Sequence, residues 1–132
     1  MIATKTRRGE HALEQKDDMA SKSTKLAPGA VPARYLKFQK SYPKVFQAYA
    51  ALGAATQEAG PLPKKTRALV KLAIAIGGRR EGAVHSHTRR ALEARCTPDE
   101  IRHVVLLAIT TIGFPAMMSA LSWVEDILSP GS

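Results

Sequence analysis

The chain has 132 residues, of which 45% are hydrophobic, and this composition is typical of a single globular domain. Its one cysteine, Cys96, excludes an intramolecular disulfide and a CxxC redox pair, and it favours a reducing compartment, so we expect a cytoplasmic protein. The net charge of +9 raises nucleic acid as a partner. However, the basic residues are spread along the chain without a nucleic-acid-binding motif, so we expect no specific nucleic-acid partner. No apolar run reaches the roughly 20 residues that span a bilayer, so we expect no membrane partner.

The N-terminal segment, residues 1–33, is polar and charged and ends in a proline- and glycine-rich run at residues 28–32. A segment of this composition cannot build a hydrophobic core, and its prolines cannot carry a helix onward. We therefore predict a flexible basic tail at residues 1–33, with at most a transient helix near residues 10–19. A helical domain is predicted to follow at residues 34–132.

Beyond the tail, apolar residues recur at helical spacing from Tyr35 onward, and five helices are predicted. Pro43 can open the first helix, because proline is favoured at the first helical position. That helix is predicted to end at the Gly-Pro-Leu-Pro run of residues 60–63. The second begins near Lys64 and is stopped by the glycine pair at residues 77–78.

The third predicted helix, which ends near residue 94, carries a histidine inside its apolar face. At about 100° per residue, Ala83, Val84 and Ala91 share one arc, and His87 projects from the middle of that arc. A buried imidazole needs a hydrogen-bond partner, and it titrates near neutral pH. His87 is therefore either a core histidine bonded to a carbonyl group or a residue that can move a proton, and both interpretations remain open.

The fourth helix has a strong start signal, because Thr97 can cap it and Glu100 stands at the position of a capping box. Residues 104–109 contain no polar side chain, which predicts a helix that is buried on more than one side. A Gly-Phe-Pro break at residues 113–115 precedes the fifth helix, which is predicted to end at Leu128. The apolar surface of these two helices is larger than a single domain of this size can bury. We therefore predict a homo-oligomer in which the two helices pack against their copies.

Four short runs of this sequence are spaced in a recognisable way. They are TRALV at residues 66–70, Arg80-Glu81 with His87 six residues after the glutamate, TPDEI at residues 97–101 and GFPA at residues 113–116. In order and spacing they resemble the carboxymuconolactone decarboxylase family, which also contains alkylhydroperoxidase D, over roughly residues 43–128. The resemblance implies an all-α, alkylhydroperoxidase D-like fold around a helical hairpin, assembled as a homotrimer or a homohexamer.

The peroxidase branch of that family uses a C-x-x-C-x-x-x-H motif and an upstream glutamate. Those positions correspond here to Arg80, Ala83, His87 and Ala68, so both cysteines and the glutamate are missing. A thiolate is the nucleophile that attacks a peroxide, and Cys96 lies at the far end of the helix. We therefore expect no thiol peroxidase activity.

The decarboxylase branch resembles the chain more closely, although one of its glutamates is missing here. The resemblance implies a cofactor-free lyase that acts on a small anionic lactone or a related carboxylate. In it, His87 would deliver a proton to carbon as CO₂ leaves, and Glu81 would orient or charge-balance the imidazole. Arg67, Arg80 and His85 are the residues predicted to bind the substrate, since cations recognise its carboxylate.

Two other functions remain open from the sequence. Glu81 and His85 are four residues apart on one helical face, and this spacing can supply two ligands to a divalent metal ion. His87 lies about 200° away from His85 around the helix axis, so the other ligands would have to come from His103 or from a second copy. Alternatively, the chain is a non-catalytic oligomeric module that keeps the family scaffold without its chemistry.

Overall fold

The computed structural model describes residues 31–131, and this part of the chain is built from helices without a strand. The helices are α1 (Ala33–Ser41), α2 (Pro43–Glu58), α3 (Lys64–Gly77), α4 (Glu81–Glu93), α5 (Pro98–Leu107), α6 (Ile109–Ile112) and α7 (Phe114–Leu128). The predicted all-α class is confirmed. Most of the predicted N-terminal tail, including the transient helix near residues 10–19, lies outside the described residues. Among the described helices, none combines the length and the apolar character needed to cross a membrane.

The predicted start signals act where the sequence places them. The side chain of Thr97 accepts a hydrogen bond from the Glu100 backbone N–H at 3.1 Å, and the Glu100 carboxylate accepts one from the Thr97 N–H at 2.9 Å. This reciprocal pair is the predicted capping box, and it satisfies two donors that the first turn of α5 would otherwise leave free. Pro43 opens α2, also as predicted.

The structure adds two helices to the five that were predicted. Helix α1 begins at Ala33, inside the predicted tail, and it ends because Tyr42, which precedes Pro43, leaves the helical region at φ −132° and ψ 62°. The fourth predicted helix is divided at Ala108 into α5 and α6. Near this division, the Thr111 hydroxyl donates to the Leu107 carbonyl at 3.2 Å, a back-bond of the kind that bends helices.

The core lies where α3, α4, α5 and α7 meet. Helices α3 and α4 form the most extensive pair, and α7 packs across both α4 and α5. The turn between α3 and α4 is short, so the two helices form the predicted helical hairpin. The fully buried side chains come from all four helices, and the largest are Leu72, Val84, Thr88, Ile101, Val105 and Val124.

Two arginines terminate the hairpin helices in a conformation that usually favours glycine. Arg79 has φ 54° and Arg95 has φ 67°, which is the left-handed region. In both turns the backbone N–H of the next residue donates a hydrogen bond to a carbonyl in the last helical turn. Arg80 donates to Ala75, and Cys96 donates to Ala91. The left-handed conformation costs a residue with a side chain about 1–2 kcal/mol. The cost is partly offset because cations are favoured at the negative end of a helix.

Two apolar surfaces are left exposed within residues 31–131. Helices α1 and α2, which we call the arm, bury none of their residues, and the Tyr35 and Phe46 rings meet edge to face at 5.7 Å within it. The second surface, which we call the α5–α7 face, is defined by its exposed apolar side chains: Leu106, Leu107, Ile109, Phe114 and Met118. The prediction that the fourth helix is buried on more than one side is therefore not met within residues 31–131, where only one side of this helix faces the core.

Candidate functional site

A cavity of about 290 Å³ lies between α3 and α4 and contains the histidine that the sequence singled out. Three basic side chains line it, namely Lys71 from α3, Arg80 at the start of α4 and His87 from α4. Ile74, Ala75 and Ala83 supply apolar walls. The cavity therefore combines cationic groups with apolar side chains, a combination that suits a small anion with an apolar body.

His87 lies at the edge of the buried face of α4 and not at its centre, which corrects the predicted position. The centre of that face is formed by Val84, Thr88 and Ala91, which follow one another by four and three residues. Thr88 can occupy a buried position because its hydroxyl donates to the Val84 carbonyl at 2.7 Å. His87 is half-buried, and no hydrogen bond to its ring is found in residues 31–131. The interpretation as a core histidine bonded to a carbonyl is therefore not supported.

The surroundings of His87 favour its neutral form. Partial burial lowers the pKa of His87 below its ordinary value of 6.5, and the positive charges of Lys71 and Arg90 lower this pKa further. Near neutral pH the imidazole is therefore mostly uncharged. An anion bound beside it would oppose the effect of these two positive charges and so favour the protonated ring.

Arg67 lines a second cavity, of about 270 Å³, between the end of α2 and α3. Lys71 lines both cavities, so they adjoin along one face of α3. The Arg67 guanidinium donates from Nη1 to the Leu62 carbonyl at 3.0 Å, while its buried Nε has no hydrogen-bond partner within residues 31–131. A buried donor without a partner is unfavourable by about 1–3 kcal/mol, so this atom is suited to a ligand carboxylate.

The structure separates Glu81 and His85 from the His87 cavity. His85 Nε2 lies 2.9 Å from Oδ2 of Asp126 on α7, and Glu81 lies beside this pair. One ligand atom from each of the three residues falls within 4.8 Å of the others. The predicted pairing of Glu81 with the His87 imidazole has no hydrogen bond or ion pair in the described part of the chain. His85 does not line the cavity of the predicted substrate-binding residue Arg80 either.

Cys96 follows α4 in a buried turn, away from the His87 cavity. Burial, with a smaller contribution from the Glu100 carboxylate, raises the pKa of the Cys96 thiol. Its Sγ donates to the Lys65 carbonyl at 3.7 Å. The thiol is therefore held protonated and inward, which is the opposite of what a peroxide-reducing cysteine requires.

Sequence reasoning missed two residues that the structure brings to these clusters. Lys71 stands four residues after Arg67 on α3, a spacing that could have indicated a cationic face. Asp126 reaches His85 from a distant helix, and no signal in the spacing of α4 points to it. Of the predicted site residues, the structure brings together Arg80 with His87 and Glu81 with His85, and it places Arg67 in the adjoining cavity.

Comparison with known proteins agrees with this architecture. An uncharacterized protein of Haemophilus influenzae is 48% identical over 52 residues, which are 39% of this chain and 46% of that protein. The chain thus spans about half the length of the curated relative it matches. A crystal structure of an apo carboxymuconolactone decarboxylase family protein from Legionella pneumophila has a TM-score of 0.63 and 24% identity, and it covers 75% of this chain and 88% of that one. This likeness shows the fold.

A sequence model of the carboxymuconolactone decarboxylase family matches residues 43–126, nearly the range over which the short runs resemble that family. The matched segment is well over half of the chain and contains the helical hairpin together with Arg67, Arg80 and His87. The chain belongs to the carboxymuconolactone decarboxylase family.

Proposed function

We propose that this protein is a cofactor-free lyase that removes CO₂ from a small carboxylated lactone or a related carboxylate in the His87 cavity. The observation that carries the proposal is the meeting of His87, Lys71 and Arg80 around one apolar-walled cavity of about 290 Å³. An imidazole such as that of His87 can donate and accept protons in the physiological pH range, and the two cations suit an anionic substrate. Family membership supports the same class of chemistry.

In the proposed reaction, the electron pair of the breaking C–C bond moves into the conjugated lactone as CO₂ leaves. Negative charge then develops on the lactone carbonyl oxygen, where Lys71 or Arg80 stabilises it. The His87 imidazolium transfers its proton to the carbanionic carbon and becomes neutral, and solvent returns a proton to it.

Of three other predicted residues, one keeps its role in this proposal and two lose theirs. Arg67 remains a candidate for binding a second carboxylate, because its cavity adjoins the first through Lys71. Glu81 has no part in the proton transfer and His85 none in substrate binding, since both lie with Asp126. We do not propose thiol peroxidase activity, because Cys96 is buried and its pKa is raised.

We propose a cytoplasmic location, which the single free thiol supports.

The pH dependence of kcat/KM for a carboxymuconolactone-type acid tests the role of His87. The proton donor must be charged, so kcat/KM is expected to fall as pH rises through the His87 pKa, which lies below 6.5. In Lys71→Gln this fall is expected at higher pH, because a cation that lowers the pKa is gone, and KM is expected to rise. The exposed Lys44→Gln on α2 is the matched control and should behave as the wild type does.

An opposite pH profile would contradict the mechanism. If kcat/KM rises with pH through the same interval, the neutral imidazole is the active form and His87 accepts a proton. If lactone consumption releases no CO₂ at any pH, the lyase proposal fails. A chelator in the assay is expected to leave turnover unchanged, because no step of the proposed reaction uses a metal ion.

We also propose that the protein assembles with copies of itself, as a homotrimer or a homohexamer. The α5–α7 face supports this, because Leu107 is 60% exposed there and Phe114 59%, and an apolar patch of this kind is typical of an interface. An apolar groove of about 330 Å³ between α3 and the α5–α6 region shares Leu107 with this face. The arm supplies a second apolar surface that is exposed within residues 31–131. Its exposed side chains Val45, Tyr49 and Leu52 follow one another at helical spacing.

Light scattering is expected to give at least twice the mass of one chain, with threefold or sixfold values for the proposed assemblies. Leu107→Glu places a charge in the α5–α7 face and is expected to shift the protein toward smaller species. Leu62→Glu makes the same change at a residue outside that face and should leave the mass unchanged. A monomeric wild type would remove this proposal, and an unchanged mass in Leu107→Glu would exclude this face.

A further inference from the structure

We propose that Glu81, His85 and Asp126 form a binding site for a divalent transition-metal ion of the zinc type, on the side of α4 that faces away from the His87 cavity. The sequence supplies the first two ligands on one helical face, and α7 supplies the third. Neither His103 nor a second copy, the two sources that the sequence suggested, is needed. The site differs from the proposed lyase site in residues and in chemistry.

The distances fit a shared metal ion. Such an ion bonds nitrogen and oxygen ligands at about 2.1 Å, which sets neighbouring ligand atoms roughly 3.0–3.4 Å apart. His85 Nε2 and Asp126 Oδ2 are already 2.9 Å apart, and the Glu81 carboxylate is within 4.8 Å of both. A small side-chain rotation of the exposed Glu81 closes the third edge, and water can complete the coordination.

The charges around the site also favour a cation. Glu81 and Asp126 bring two carboxylates together, and Glu81 has no ion-pair partner in residues 31–131, although the chain is strongly basic. Asp126 lies in the last turn of α7, where the helix dipole is negative and a carboxylate is disfavoured. A divalent ion neutralises both carboxylates and leaves His85 to bind as the neutral imidazole. This donor set of one imidazole and two carboxylates suits zinc better than calcium, which prefers oxygen ligands alone.

The metal ion would connect the beginning of α4 to the end of α7, and so brace two of the helices that form the core. Binding is therefore expected to raise the melting temperature, because a ligand that binds only the folded chain stabilises it. This readout does not depend on lactone turnover. Failure of the lyase proposal and failure of the metal proposal are thus distinguishable.

Calorimetric titration of the full chain with Zn²⁺ tests the site. One ion per chain is expected, with affinity reduced at least about tenfold in each of Glu81→Gln, His85→Gln and Asp126→Asn. The control is His103→Gln, an exposed histidine on α5 outside the cluster, which should bind as the wild type does. In the wild type, Zn²⁺ should raise the melting temperature, and this rise should be lost in the three ligand variants. Absence of binding, or binding that all three substitutions leave unchanged, would overturn the proposal.

Discussion

Replacing His87 with glutamine is expected to reduce turnover of a carboxymuconolactone-type acid by about 10²–10⁴-fold, the usual contribution of general acid–base catalysis. Glutamine keeps polar character and comparable size at this position, but it cannot carry a transferable proton at neutral pH. Folding should be nearly unaffected, because His87 is half-buried and has no hydrogen-bond partner in residues 31–131. CO₂ release and melting temperature measured on the same preparation separate the two effects. His103→Gln is the control for loss of an exposed histidine.

The His87→Gln variant also has an expected stability signature. Because the pKa of His87 is lowered in the folded chain, the unfolded chain holds its proton more tightly. His87 therefore disfavours folding increasingly as pH falls below about 6.5, and the variant should lose less stability than the wild type on acidification. A variant that is destabilised at neutral pH but fully active per folded molecule would contradict the catalytic role and support a structural one.

Replacing Leu72 with alanine is expected to lower the free energy of unfolding by about 2–5 kcal/mol. Leu72 is 0% exposed and lies on α3 within the core shared with α4, α5 and α7. The substitution removes apolar contacts and leaves a cavity that the surrounding helices can close only in part. Urea unfolding, followed by circular dichroism at one fixed protein concentration, measures the change.

The matched control for Leu72→Ala is Leu92→Ala, the same chemical change at a residue of α4 that is 37% exposed. Its effect should be clearly smaller than that of Leu72→Ala, because a side chain that is already partly exposed in the folded chain loses less burial and leaves no enclosed cavity. Similar losses in the two variants would mean that Leu72 does not occupy the centre of the core. The fixed concentration matters, since the stability of an assembly depends on it.

The fold was predictable to the extent that local chemistry decides it. Prolines, glycines and the Thr97 capping box mark where helices start and stop, and these signals act within a few residues of one another. Helix α1 was missed because its polar residues resemble those of the predicted tail. The displacement of His87 from the centre of the buried face has a local cause as well. The Thr88 hydroxyl donates a hydrogen bond to the Val84 carbonyl, so this polar residue can occupy a buried position that apolar spacing alone does not assign to it.

The spacing of residues indicated candidate site residues only within one helix, and Arg67 on α3 was indicated by the family resemblance. Glu81, His85 and His87 share α4, but the division of that helix into two chemically different sides depends on what packs against each side. Lys71 comes from α3 and lies beside His87, and Asp126 comes from α7 and lies beside His85. The periodicity of α4 predicts neither of these contacts. The predicted pairing of Glu81 with His87 is not found in residues 31–131 for this reason: Asp126 marks the side of α4 that carries Glu81, and Lys71 marks the side that carries His87.

The arm formed by α1 and α2 has a consequence for how the protein folds. Helix α2 is 16 residues long and buries none of them, and an isolated helix of that length is marginal in water. Ordering the arm costs conformational entropy that the few contacts within residues 31–131 offset only in part, and in the proposed assembly a surface on another copy contributes the rest. Completion of α1 and α2 and association of the chains would then be one coupled reaction. Helical content, usually a property of the single chain, would decrease as the protein is diluted.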